Sequence, residues 1–196
     1  SQANQNHSGT TAALNDVSIL AIGLNANAPA NIQATETSVW AAGLQNEGKV
    51  TGQQNLIVQA GGQIQTAGQA LASQTLSMQA ASLDVAQSRQ QAPTISLQAT
   101  SGDLQATGSR ILGGQSLHLE VAQTLTTDQA QVQAQTLGLQ AHTLSNKSGQ
   151  ITQTGQTDQS ISLQGTLDNT AGIIYSAAHT LDIRAQGIDN TAGQIL

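Results

Sequence analysis

Short apolar segments with a period of two recur along the chain and predict β-strands. A motif of the form apolar-x-apolar-Gln-small reads LIVQA from Leu56, LSMQA from Leu76 and ISLQA from Ile95. Because its apolar residues alternate with polar or small ones, each copy fits a strand with one buried face. Further copies begin at Leu117, Leu137, Ile161 and Leu181, so that successive copies start 19 to 24 residues apart. A spacing that stays near twenty residues over seven copies indicates a solenoid.

A second apolar position follows each copy and a third follows six of the seven, which predicts three short strands per turn. The second position is occupied by Ile64, Leu83, Leu104, Leu125, Leu144, Leu167 and Ile188, and the third by Leu71, Ile111, Val132, Ile151, Ile174 and Ile195. Gly, Asn and Ser between these positions are typical of turns. The sequence therefore predicts an all-β chain that folds as a right-handed parallel β-helix with turns of about 20 residues. A leucine-rich repeat fits less well because its helical segment is missing, and helical-hairpin repeats are longer.

Stacked turns place equivalent residues in columns along the predicted rod. We expect two inward columns, which run from Leu56 to Leu181 and from Val58 to Ile183. Beside them we expect an outward column that consists of Gln59, Gln79, Gln98, Glu120, Gln140, Gln164 and Arg184. Stacked amides can hydrogen-bond to one another, whereas stacked like charges repel, so this geometry favours Gln over charged residues.

Asn and Gly recur at one corner of the predicted helix. Segments that begin at Leu44, Leu144, Leu167 and Ile188 share an apolar-x-Asn form that is followed by Gly. Both residue types tolerate positive φ angles and suit a tight turn, and an inward Asn can stack on its equivalent in the next turn. We interpret these Asn residues as structural.

The pattern divides the chain into two regions. Residues 1–37 form an irregular N-terminal segment or the first atypical turns, and residues 38–196 form the repetitive β-helix. The RQQAP stretch from Arg89 to Pro93 is predicted to be a loop that protrudes between two turns. The chain stops within a repeat, from which we expect a piece of a longer rod.

Composition and charge argue against several classes of function. Hydrophobic residues make up 38% of the chain, but aromatic residues only 1% and charged residues 8%, which is unlike an ordinary globular enzyme domain. The net charge is −6 and the five basic residues are scattered along the sequence, so nucleic-acid binding is not expected. No apolar run reaches the length of about 20 residues that membrane insertion needs, and there is no Cys for disulfides or thiolate metal sites.

Candidate catalytic and metal-binding groups are sparse. Asp168 and Asp189 occupy equivalent corner positions where two carboxylates could share a cation, but no other ligand is predicted near them. His118 and Glu120 share an outward face, as do Asp182 and Arg184, and such pairs are typical of a surface. We therefore predict a chain that is not an enzyme, with no catalytic residue, metal or cofactor. The alternative is a β-helical polysaccharide-degrading enzyme, which would need clustered carboxylates.

Two aromatic residues are the candidates for a binding role. Trp40 and Tyr175 are the only aromatic residues of the chain, and aromatic side chains are enriched where proteins bind partners. The other interpretation is that each covers an end of the core or flanks it. The Gln-lined faces could also engage a receptor, pair laterally with other rods or assemble into amyloid-like fibres.

The repeats resemble those of a known family of bacterial exoproteins. The NTAG corners at residues 169–172 and 190–193, combined with Leu-x-Leu strands about every twenty residues, look like haemagglutinin repeats. Over residues 38–196 the chain is similar to the shaft of filamentous haemagglutinin and of CdiA-type exoproteins. The family's N-terminal secretion domain and a toxin domain are not visible in this sequence.

The resemblance implies a function and a location for the chain. Members of this family are large proteins that an outer-membrane transporter exports in two-partner secretion, and they remain at the bacterial cell surface as filaments. The chain would then be a structural shaft segment of a filament that presents an adhesive region or delivers a C-terminal toxin to a neighbouring cell, as in contact-dependent growth inhibition. A target-cell receptor would be a second partner. The alternative is a receptor- or carbohydrate-binding region of the same filament.

Overall fold

The computed structural model describes the backbone of residues 4–7, 10–12, 16–26 and 31–196, and the side chains of Thr11, Thr37 and residues 44–196. Across these residues the regular structure is β-strand, and paired strands run parallel. The strands stack as a β-solenoid of about eight turns, with equivalent positions about 20 residues apart. The all-β, parallel β-helical fold that the repeats predict is confirmed.

Each complete turn contributes segments to three stacks of strands. The first stack contains Thr75–Ala80, Thr136–Ala141, Gln159–Leu163 and Leu181–Arg184. The second stack contains Gln63–Thr66, Ser82–Asp84, Leu104–Gln105, Thr124–Thr126, Thr143–Ser145, Thr166–Asp168 and Gly187–Asp189. The third stack contains Gln69–Ala72, Gln131–Ala134, Gln150–Gln153, Ile173–Ser176 and Gln194–Ile195.

Longer strands bend around the corners and belong to more than one stack. They are Asp16–Ala26, Asn31–Asn46, Lys49–Ala60, Arg89–Ala99 and Arg110–Val121. Two short N-terminal strands, Asn4–His7 and Thr10–Ala12, pair in parallel with Asp16–Ala26 and Asn31–Asn46 respectively. The division at residues 37 and 38 stays a prediction, although strands on both sides of it pair within the same solenoid.

The inward columns of the first stack follow the predicted register as far as the turn of Leu137. Leu56, Leu76, Ile95, Leu117 and Leu137 lie opposite one another on successive turns and are at most 3% exposed. All seven apolar residues predicted for the second stack, from Ile64 to Ile188, also align. These aliphatic layers form the core of the solenoid.

The predicted register of the next turn is wrong by two residues. Ile161 lies opposite Leu139 rather than Leu137, and Leu163 lies opposite Ala141. The following turn restores the earlier columns, because Leu181 lies opposite Gln159 and Ile183 opposite Ile161. A slip of two residues keeps every side chain on its own face of the strand, so the alternation of apolar residues does not distinguish the two registers.

Two predictions for the third stack are also wrong. Arg89–Pro93 is part of a strand and not a protruding loop. The inward column passes through Ala70 and the fully buried Gln90, whereas Leu71 lies opposite the exposed Gln91. Gln90 can occupy the core because its amide Nε2 donates a hydrogen bond of 2.8 Å to the buried hydroxyl of Ser88, which partly offsets the cost of burying a polar group.

Candidate functional site

The outward surface of the first stack carries a ladder of hydrogen-bonded amides. Gln59 Nε2 donates to Gln79 Oε1 at 3.4 Å, and Gln79 Nε2 donates to Gln98 Oε1 at 2.8 Å. Gln98 Nε2 in turn donates to Glu120 Oε2 at 3.0 Å. The column predicted for these residues is therefore confirmed over these turns.

The Gln column departs from the prediction after Gln140. Ser162 occupies the next position and Arg184 the one after it, because of the slip of two residues. Gln164 lies outside this column, and its side chain is exposed.

A second polar ladder lies inside the solenoid, at the end of the second stack. Asn146 and Asn169 are fully buried, and Asn146 Nδ2 donates to Asn169 Oδ1 at 2.7 Å. Asn169 Nδ2 donates to Asn190 Oδ1 at 2.6 Å, while Thr127 Oγ1 donates to Asn146 Oδ1 at 2.9 Å. At the same corner of an earlier turn, Asn46 Nδ2 donates to Thr66 Oγ1 at 3.0 Å. These contacts support the structural interpretation of the Asn corners, since a buried amide needs such partners.

The corner glycines serve a different purpose from the one predicted. The left-handed residues at these corners are Ser148, Ala171 and Ala192, with φ between 54° and 55°, and each of them precedes the glycine. A Cβ atom on Gly172 would lie 2.1 Å from the carbonyl oxygen of Asn146. Glycine is therefore needed because the neighbouring turn passes too close for any side chain.

The corner carboxylates are engaged in turn formation and ion pairing. Asp168 lies opposite Asp189, and each Oδ1 accepts hydrogen bonds from the backbone N–H and the hydroxyl of the Thr two residues later. These hydrogen bonds are the main cause that lowers the pKa of both carboxyls. Lys147 Nζ lies 3.0 Å from Asp168 Oδ2, and this contact raises the pKa of the Lys147 ammonium. Where side chains are described, no three His, Cys, Asp or Glu residues are grouped as a metal site would require.

The two i, i+2 pairs singled out from the sequence are surface pairs. His118 Nε2 lies 3.7 Å from Glu120 Oε2, and Arg184 Nη2 lies 2.9 Å from Asp182 Oδ2. All four side chains are at least 42% exposed, so water screens both interactions.

The aromatic candidates lie in different stacks. Tyr175 is 41% exposed on the strand Ile173–Ser176, opposite Thr152. The backbone of Trp40 lies in the strand Asn31–Asn46, opposite Gln59, but its side chain is outside the described residues. The binding role of both residues stays a prediction.

The fold also brings together residues that the sequence alone left apart. Lys49, Arg89 and Arg110 share one outward column of the third stack, with Gln69 between the first two. Three of the five basic residues, although scattered along the sequence, therefore lie together in the structure. The signal was present in the sequence, because Arg89 and Arg110 are separated by one turn and Lys49 and Arg89 by two.

Comparison with known proteins shows a relationship to a much longer protein. The protein described as "Toxin CdiA" of Yersinia pestis is 29% identical to this chain over 166 residues. The alignment covers 85% of this chain, which spans only 5% of the length of that protein. No family profile and no solved structure matches the chain.

Within the part of the chain that the structure describes, no helix is long and apolar enough to cross a membrane. The fold is a stack of parallel turns, and the similarity extends over most of those turns. The β-solenoid fold and the sequence similarity together confirm the resemblance that the repeats indicate, which is to filamentous haemagglutinin and CdiA-type exoproteins.

Proposed function

We propose that the chain is a non-enzymatic shaft segment of a large secreted filament on the bacterial surface. The observation that carries this proposal is the continuous parallel stack, in which each described turn pairs with the next through all three stacks of strands. Such a solenoid is stabilised by contacts between neighbouring turns, so it can be extended as a stiff rod. The similarity to a protein that is about twenty times longer fits one segment of such a rod.

The filament would present an adhesive region or deliver a C-terminal toxin to a neighbouring cell. In this proposal the parent protein is exported by an outer-membrane two-partner-secretion transporter and stays attached to the cell surface. Support comes from the name of the relative, Toxin CdiA, together with the repetitive fold. The engagement of Asp168 and Asp189 in their own turns supports a structural rather than a catalytic role for these carboxylates.

A receptor- or carbohydrate-binding region of the same filament is the second candidate. It is favoured by the exposure of Tyr175, an aromatic side chain on an otherwise amide-rich surface. The two candidates differ in their tolerance of missing turns. A spacer works with one turn fewer, whereas a binding region loses contacts when its surface is changed.

Deletion of whole turns from the full-length parent protein tests the proposal. Removal of residues 117–136 joins Ser116 to Leu137 and keeps the register, because Leu117 lies opposite Leu137. We expect this variant to reach the cell surface and to support target-cell adhesion or inhibition as the parent protein does. Removal of residues 117–126 deletes half a turn and should abolish surface display, because the inward columns no longer align.

The outcome separates the two candidate functions. Full activity of the whole-turn deletion supports a spacer. Normal surface display with loss of target-cell binding would instead assign recognition to the deleted turns. A Tyr175→Ser variant with full activity would argue against recognition through that aromatic side chain.

A further inference from the structure

The third stack carries an outward column of cations. Lys49, Arg89 and Arg110 are all exposed, and Arg89 lies directly opposite Arg110 on the next turn. Gln69 separates Lys49 from Arg89. Because stacked turns are about 4.8 Å apart, the three side chains form a line of positive charge along the axis of the rod.

This column is not explained by the stability of the fold. Like charges on adjacent turns repel, and Gln occupies the same column at positions 69, 131 and 150 without that repulsion. Among the described side chains, none of the three cations is within ion-pairing distance of a carboxylate, unlike Lys147 and Arg184. Arg89 Nε donates instead to Gln91 Oε1 at 3.2 Å. Arg89 and Arg110 thus lie on adjacent turns with a repulsion that Gln at either position would remove.

Two grooves meet at this column. One, of about 790 Å³, is lined by all three cations and by Gln69, and Glu47 is the one carboxylate among its described lining residues. The other, of about 650 Å³, is lined by Gln91, Leu112 and the Gly113–Gly114 pair. Arg110 lines both grooves, so a ligand bound at its guanidinium group can extend into either of them.

We propose that this surface binds a linear anionic polysaccharide that lies along the rod. Its carboxylate, sulfate or phosphate groups would pair with Lys49, Arg89 and Arg110, since a guanidinium group holds such oxyanions through two parallel hydrogen bonds. Leu112 is partly exposed and offers an apolar contact for a sugar ring, while the amide of Gln91 can hydrogen-bond to hydroxyl groups. This binding function is additional to the role of a spacer.

The chemistry of the grooves favours a polysaccharide over a nucleic acid. None of the described side chains that line the two grooves is aromatic, so these side chains offer unpaired bases no surface on which to stack.

The test uses the purified chain and two polysaccharides of known chemistry. Polygalacturonate supplies carboxylates and dextran sulfate supplies sulfates, while uncharged dextran and single-stranded DNA are the comparison ligands. We expect the double variant Arg89→Gln, Arg110→Gln to bind the anionic polysaccharide about tenfold or more weakly in isothermal titration calorimetry, because charge-assisted hydrogen bonds are lost. The matched control Arg184→Gln removes a cation that is already paired with Asp182. This variant should bind the polysaccharide as tightly as the unmodified chain does.

Two further readouts separate a binding site from general attraction. The affinity falls as salt is added, and the slope of its logarithm against the logarithm of the salt concentration should become shallower by about one for each cation removed. The melting temperature of the double variant should be unchanged or higher, because Gln replaces repelling charges in a column that already contains Gln.

Every outcome bears on the proposal. Preferential binding of polygalacturonate or of dextran sulfate supports it and identifies the anionic group. Absence of binding to both polysaccharides overturns it, as does an equal loss of affinity in the Arg184→Gln control. Tighter binding of single-stranded DNA than of either polysaccharide also overturns it. None of these results alters the test of the spacer role, because the whole-turn deletion leaves all three cations in place.

Discussion

The glycine of each Asn corner is required by close contact between turns rather than by backbone conformation. A methyl group on Gly172 would lie 2.1 Å from the carbonyl oxygen of Asn146 and 2.6 Å from Asn169 Oδ1. We expect Gly172→Ala to lower the free energy of unfolding by about 1–3 kcal/mol, because the buried amide and the backbone of the neighbouring turn must both shift. Urea denaturation followed by circular dichroism measures this change.

Gly187→Ala is the matched control for this prediction. The same methyl group on Gly187 would lie 3.6 Å from Thr166 Cγ2, which is an ordinary contact. The control should therefore change the free energy of unfolding by no more than about 0.5 kcal/mol. Equal losses in the two variants would show that the loss reflects glycine replacement in general and not the close approach at the corner.

At the scale of a strand, the side chain of Gln153 acts as the hydrogen-bond acceptor for a backbone N–H group. This group belongs to Leu137, at the start of the longest turn. Gln153 is fully buried, its Oε1 accepts the backbone N–H of Leu137 at 2.9 Å, and its Nε2 donates to the carbonyl of Thr157. Gln153→Ala should lower the free energy of unfolding by about 1–3 kcal/mol, because the buried N–H of Leu137 loses its partner. Hydrogen exchange of the Leu137 amide, measured by NMR, should accelerate selectively.

A second Gln in the same strand provides the control. Gln150 is exposed, so Gln150→Ala should leave both the stability and the exchange of Leu137 unchanged. Unchanged exchange in the Gln153 variant would contradict the assignment of this side chain as a substitute for a backbone partner.

The strands could be predicted where the spacing of the repeats and the alternation of apolar residues indicate the same register. They could not be placed where either pattern fits more than one register. The column from Ile64 to Ile188 could be derived because one apolar residue marks each turn. Alternation cannot separate registers that differ by two residues, so the position of Ile161 required the structure. Gln90 was missed because a polar residue becomes acceptable in the core only when a partner such as Ser88 is placed beside it.

The candidate site shows the same limit at the scale of the surface. The column of cations is formed by residues that are far apart in sequence, namely Lys49, Arg89 and Arg110. It can be derived only if the length of every turn between them is known. A register error of one residue in any of these turns would place a side chain on the opposite face of its strand. Residues that act together across several turns are therefore harder to derive than the fold itself.

At the scale of the whole molecule, the solenoid behaves as a one-dimensional array in which stability depends on neighbouring turns. Leu117 and Leu119 are at most 1% exposed, whereas Ile188 in the last turn is 50% exposed. We expect the amides of Leu117 and Leu119 to exchange with solvent only through global unfolding, and those of Leu181–Arg184 through local opening at a lower free energy. Native-state hydrogen exchange at increasing denaturant concentration measures both.

Extension of the rod tests whether this difference in hydrogen exchange between central and terminal strands arises from the stacking of turns. Leu196 follows Ile195, which lies opposite Ile174, so a copy of residues 176–196 appended after Leu196 continues the register by one turn. The new turn would cover Ile188, and protection of Leu181–Arg184 should then approach that of the central strands because each turn is stabilised by the next. A Gly/Ser extension of equal length offers no apolar face and should change nothing. If both extensions protect these amides equally, or neither does, the exchange gradient is a property of the local sequence and the nearest-neighbour description of this solenoid is wrong.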